Sequence, residues 1–176
     1  QKNKIIAIGE VGLDFKEDTI KHDKQFIFFD KFIKLAKEIN KPIIVHSRKA
    51  EKECIQILEK NKMKKVVMHC FSGKMKLIDI IVKNGWMMSI PSSVCYNEHF
   101  QEIVKKIPLH NLLCETDSPF LHPEKGKFNN EPSFVLEAYK KISEIKKISL
   151  NDAEKAIEKN FNNVEFEYFY LKYFKV

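Results

Sequence analysis

At 176 residues, with 44% hydrophobic and 31% charged side chains, the chain is long enough for one domain with a sizeable core, and its composition excludes a disordered protein. No apolar run approaches the roughly 20 residues of a membrane span, and Ile5-Ile6-Ala7-Ile8 is too short for the apolar segment of a signal peptide, so no membrane partner is expected. The 31 Lys and Arg against 24 Asp and Glu give +7, which suits a polyanionic substrate and also follows from a Lys/Asn/Ile/Phe-rich composition that spreads lysine over every helix.

The first buried strand is expected over residues 4–9, ended by Gly9 and followed at once by Glu10. A carboxylate at a strand mouth between glycines is a good ligand position; a cap or a surface acid reads the same way. From Thr19 to Asn40, Phe26, Phe29, Phe32, Ile33, Ala36 and Ile39 fall at helical spacing, with Asp18 or Thr19 as N-cap and Pro42 beyond the end. Residues 42–45 form a second strand that ends on His46; Ser47 is the expected N-cap of a helix to Lys62. Val66-Val67-Met68 is a third strand ending on His69, followed by a helix over 74–84 with Gly85 as its stop. Trp86 to Ile90 reads as a fourth strand with no obvious ligand, and a short helix follows near 98–106. Leu112-Leu113-Cys114 is the fifth strand. It leads into Glu115-Thr116-Asp117-Ser118-Pro119, then a loop to Pro132 and helices over 133–147 and 150–174. The last helix is strongly aromatic (Phe161, Phe166, Tyr168, Phe169, Tyr170, Tyr173, Phe174) and is read as covering core.

Cys54, Cys70, Cys95 and Cys114 make no Cys-x-x-Cys pair and sit among apolar residues, which predicts buried, reduced thiols and a cytoplasmic location. Alternation of apolar strands with helices predicts a parallel α/β sheet covered by helices, in one domain over 1–176. Glu115 and Asp117, two apart at a strand end, are expected to look into one space, and adjacent acids need something positive between them. Strand ends of parallel α/β folds carry the active site, so Glu10, His46, His69 and Asp117 are expected to converge as metal ligands. Two imidazoles with two carboxylates suit Zn²⁺, Mn²⁺, Fe²⁺ or, in an acid-rich watery position, Mg²⁺. Glu10 in such a set could bridge two ions, with His46 and His69 on one and Asp117 on the other, an arrangement fit for displacement at phosphorus.

The motifs Gly9-Glu10-Val11-Gly12-Leu13-Asp14, Ile44-Val45-His46-Ser47-Arg48, His69-Cys70-Phe71-Ser72-Gly73 and Glu115-Thr116-Asp117-Ser118-Pro119, in this order, resemble the TatD family of metal-dependent deoxyribonucleases, a branch of the amidohydrolase-like TIM barrels. Asn130-Glu131-Pro132 and Asn160-Phe161 are looser matches. The resemblance implies a (β/α)8 TIM-barrel type and one or two divalent ions (Mg²⁺, Mn²⁺ or Zn²⁺) on Glu10, His46, His69 and Asp117. It implies Glu10 as bridging ligand and Asp117 as the handler of an attacking water. It also implies hydrolysis of phosphodiester bonds in DNA, often from 3′ to 5′. Asp14, Arg48 and Glu115 are candidates for contacting the ligands or the substrate; each also reads as a structural ion pair. Two features depart from the family. No His-x-His occurs, and Ser92 stands where a glycine is expected. Together with a start on Gln1 rather than Met, the first departure leads to the expectation of an N-terminally truncated barrel with about five strands. Such a barrel would associate with a missing N-terminal segment or with itself. The alternatives are an impaired barrel remnant that binds metal or partners, and an amidohydrolase acting on a substrate other than nucleic acid.

Overall fold

The computed structural model describes residues 5–16 and 21–164. Five short strands, β1 (Ile8–Gly12), β2 (Ile43–His46), β3 (Val66–Met68), β4 (Met87–Ile90) and β5 (Leu112–Cys114), form one sheet in the order β1-β2-β3-β4-β5. Every neighbouring pair is parallel. A doubly wound sheet would reverse its strand order at a switch point, whereas strictly sequential neighbours joined by helices are the build of a (β/α)8-type barrel wall. Helices α1 (His22–Glu38), α2 (Glu51–Lys60), α3 (Ile78–Lys83), α4 (Glu98–Lys106), α5 (Val135–Lys146) and α6 (Leu150–Asn163) connect and follow the strands. Among the described residues no helix is long and apolar enough to cross a membrane.

The core lies between the sheet and these helices. Phe29, Ile33 and Ala36 of α1, Leu58 of α2, Ile81 of α3 and Ile103 of α4 are buried against Val45, Met68, Met88 and Leu112. Trp86 is buried too, and its indole N–H donates to Met63 O at 3.0 Å. Inside the curve of the sheet Ile44, Val67, Ser89 and Leu113 line a cavity of about 370 Å³, which Tyr139, Ile157 and Phe161 border from the α5–α6 side.

Several local expectations need correction. The first strand starts at Ile8, not at residue 4, and Ile5 and Ile6 are exposed. It is an edge strand among the described residues, so only part of it is covered. Phe26 and Phe32 of the expected α1 stripe are exposed as well: they flank the buried face formed by Phe29, Ile33 and Ala36. Asp18 and Thr19, the expected caps, lie outside the described residues, and α1 opens after Lys21 without a side-chain cap. Ser47 does not cap α2. Lys49 takes a left-handed φ of 59°, which holds Ser47–Lys49 in a turn and delays the helix to Glu51. Ser92 causes no difficulty, because its φ is not positive; its hydroxyl donates to Phe134 O at 3.1 Å. Of the aromatic C-terminal run, Phe161 is described and exposed, and Phe166 to Phe174 lie outside the described residues.

Asn160 explains one of the looser motifs. It is buried in α6, and its amide donates to Leu109 O (2.7 Å) and Leu112 O (2.9 Å), pinning the helix to the start of β5. Asn160→Ala leaves one buried and one half-buried carbonyl unmatched and is expected to cost about 3 kcal/mol. Thermal denaturation should show a fall of roughly 6–12 °C for a chain of this size; an unchanged midpoint would mean that α6 is not anchored there.

Candidate metal centre

Glu10 lies within β1, His46 closes β2, His69 follows β3 by one residue and Asp117 lies three beyond β5. All four open onto one cleft of about 630 Å³ at the C-terminal edge of the sheet, which Arg48, Phe100, Phe120 and Leu121 also border.

A register shift between β1 and β2 directs Glu10. Ile8 pairs with Ile43 and Val11 with Val45, so three steps on β1 match two on β2. Such a bulge re-aims a side chain at the strand's end, and it places Glu10 inside the strand rather than beyond its mouth. Gly12 then passes so close to β2 that a Cβ there would meet His46 O at 1.9 Å. Just past β3, His69 N–H donates to Val45 O at 3.0 Å, which holds the backbone of this ligand candidate against the strand that carries His46.

Glu10 Oε2 is 2.8 Å from His69 Nε2 and 3.5 Å from His46 Nδ1, and Asp117 Oδ1 is 3.4 Å from His69 Nε2. Around one ion at zinc's bond length of about 2.0 Å, tetrahedral ligand atoms stand about 3.3 Å apart, so these separations are of the right size. The contacts are nevertheless pairwise. Among the described residues no group of three or more His, Cys, Asp or Glu is arranged to hold a metal ion as it stands. Glu10 hydrogen-bonds directly to His69, and holding an ion requires its carboxylate to turn from partner to co-ligand. The set fits a divalent metal through its donor chemistry and its convergence.

Each histidine uses its other nitrogen on an outer carboxylate. His46 Nε2 lies 2.9 Å from Asp14 Oδ2, and His69 Nδ1 lies 2.6 Å from Glu115 Oε2. Carboxylates behind metal-binding imidazoles fix the tautomer and orient the ring, the geometry that Asp14 and Glu115 supply. The expectation that Glu115 and Asp117 share a face by strand alternation is corrected. β5 ends at Cys114 and Asp117 has a left-handed φ of 58°, so the two acids reach opposite nitrogens of the His69 ring. The positive group between them is His69 itself.

These contacts set the protonation. Hydrogen bonds from His46 and His69 hold Glu10 well below the usual carboxylate range against the opposing effect of burial. The bond to Glu10 raises His46, helped by Asp14 and opposed by burial. Burial would lower His69, but Asp117, Glu10 and Glu115 outweigh it and push the imidazole up to about 12. Burial together with the neighbouring Glu115, Asp117 and Glu10 pushes the Cys70 thiol up, so it stays protonated beside the site. Cys54 is buried, Cys70, Cys95 and Cys114 are half-buried, and all four are free.

Sequence reasoning missed two residues. Gln25 of α1 grips Asp14 at both ends, accepting from its N–H and donating to its carbonyl at 2.8 Å each. Ser89 of β4 donates to Glu115 Oε2 at 2.6 Å. Ser89 carried a signal as the polar residue of an otherwise buried strand, whereas Gln25 lies among exposed residues of α1 and carried none. Asn130, quoted with a looser motif, clamps the Asp117 loop by donating to Thr116 O at 2.8 Å and Phe120 O at 2.6 Å. Arg48 borders the cleft.

The profile of the family described as TatD related DNase matches residues 1–165. The chain is 40% identical over 156 residues to an uncharacterised metal-dependent hydrolase of Methanocaldococcus jannaschii, covering 89% of this chain and 61% of that protein. It is 35% identical over 163 residues to the human deoxyribonuclease TATDN3, covering 90% of this chain and 59% of that protein. The fold matches the crystal structure of YJJV, a TatD homologue of Escherichia coli, with a TM-score of 0.83 at 25% identity, over 91% of this chain and 63% of that one. The chain thus spans about 60% of the length of the relatives it matches. Family-wide coverage of the sequence and a matching barrel wall agree: the chain belongs to the TatD-related DNase family.

Proposed function

We propose that residues 1–176 act as a single TatD-type domain of a divalent-metal-dependent hydrolase that cleaves phosphodiester bonds in DNA, working from the 3′ end. The observation that carries this reading is the convergence of Glu10, His46, His69 and Asp117, with Asp14 and Glu115 behind the two imidazoles. Family membership and the deoxyribonuclease name of the human relative support it.

Glu10, His46, His69 and Asp117 would hold one or two ions of Mg²⁺, Mn²⁺ or Zn²⁺. Bound there, the metal supplies Lewis-acid activation of water and of a phosphoryl oxygen. Asp117, half-buried on the cleft side of His69, takes the proton of the attacking water. Arg48 at the cleft wall binds a substrate phosphate, for which its planar fork is suited. The net charge of +7 draws a polyanion toward the molecule.

The test is release of nucleotides from end-labelled single-stranded DNA with Mn²⁺ or Mg²⁺, wild type beside Asp117→Asn. Loss of the base is expected to lower turnover by about 10²–10⁴-fold. Equal turnover in the two proteins, or turnover that survives a chelator, sinks the reading.

A further inference from the structure

We propose that Ser89 is a positioning residue that acts on His69 through Glu115 and so fixes which ring nitrogen His69 presents to a metal. The inference rests on the metal-centre reading given above. Ser89 is the one hydroxyl in the apolar strand β4, whose four residues are all buried. Its oxygen accepts from Cys70 N–H at 3.4 Å and its proton goes to Glu115 Oε2 at 2.6 Å. These roles have one solution, because an amide N–H only donates and an ionised carboxylate only accepts.

Glu115 Oε2 therefore receives two donors, the Ser89 hydroxyl and the His69 Nδ1–H, both at 2.6 Å. Glu115 Oε1 is buried and has no hydrogen-bond partner among the described residues. Without the hydroxyl, His69 alone is left to hold the carboxylate, and nothing fixed in the sheet distinguishes its two oxygens. The His69 ring then loses its fixed acceptor, and Nε2 is no longer held toward Glu10 and Asp117. Ser89 also steadies the backbone just after His69, where Cys70 has a left-handed φ of 43°. One hydroxyl thus holds both the ring and the chain of the same ligand candidate, from a strand that contributes no ligand itself.

The closing experiment measures Zn²⁺ binding by calorimetry on the full chain. Ser89→Ala is expected to weaken binding by about 10–100-fold, while Ser89→Thr, which keeps the hydroxyl, stays within about threefold of wild type. The added methyl has room, because Ser89 borders the inner cavity. Zinc bound equally by wild type and Ser89→Ala overturns the inference. So does an equal loss in Ser89→Thr and Ser89→Ala, which would make the effect one of packing. If Ser89→Ala does not fold, Ser89→Cys keeps the shape with a weaker donor and is read in its place. Wild type that binds no zinc counts against the metal centre. The His69 Nδ1–H proton resonance of the metal-free protein then decides: an upfield move in the variant supports the role of Ser89, and no change overturns it.

Discussion

Glu10→Gln is expected to weaken divalent-metal binding by more than about 100-fold, beyond the 10–100-fold that losing an outer partner of a metal ligand typically costs. Glu10 Oε2 is the atom that both histidines share, at 2.8 Å and 3.5 Å. The amide removes the charge that would offset the ion and leaves the two imidazoles facing an oxygen or an NH₂. Calorimetry with Zn²⁺ or Mn²⁺ reads the change, and comparable dissociation constants for wild type and variant would place the metal elsewhere.

The same titration has a pH dependence with a fixed sign. In the metal-free protein the folded values of His46 and His69 lie above the ordinary imidazole value. Their pairing therefore stabilises the fold fully below about pH 6.5. That stabilisation fades as pH rises through the folded values, which for His69 means up to about 12. Glu10, with its lowered value, contributes above the ordinary carboxylate range and loses that contribution only under strong acid. A metal must displace the imidazole protons, so apparent affinity should rise from pH 6 to pH 8.5 with net proton release. Glu10→Gln removes one of the groups that retain those protons and should release fewer.

Gly12→Ala should be the most damaging single methyl. The new Cβ would sit 1.9 Å from His46 O, a backbone atom that cannot swing aside, at a φ of +154°. A loss above about 4 kcal/mol is expected, in the range reserved for strain at a special backbone position. Because the obstacle is His46's own carbonyl, metal binding should fall with stability. Gly85→Ala is the control. Its φ is +70° and nothing lies within 4 Å of the new atom, so only the left-handed penalty of about 1–2 kcal/mol applies. Thermal melts of the two variants separate these cases; equal losses would mean that contact with β2 contributes nothing.

The five strands were legible because each is a short apolar run ended by a residue of different chemistry. His46 and His69 stand out after Ile43-Ile44-Val45 and Val66-Val67-Met68, and parallel strands gather such ends. The bulge in β1 was not legible, since it depends on how β1 meets β2 rather than on its own composition. The delay of α2 to Glu51 was hidden for a similar reason. Ser47 has cap chemistry, but the left-handed Lys49 cancels it, and lysine carries no signal for that conformation. On α1 the helical period was right and the burial too broad: six apolar residues fit the repeat, and the sheet covers the arc of Phe29, Ile33 and Ala36. Ser89 and Gln25 escaped because their importance lies in a partner distant in sequence.

The left-handed backbone at Asp117 narrows what substitution can do there. With φ at 58°, the position favours glycine, asparagine or aspartate, whose short side chains tolerate that region. Glutamate keeps the carboxylate but works against the backbone, while asparagine and glycine keep the backbone and lose the charge. Aspartate alone meets both demands, so even the most conservative exchange at this loop either bends the chain or discharges the cleft.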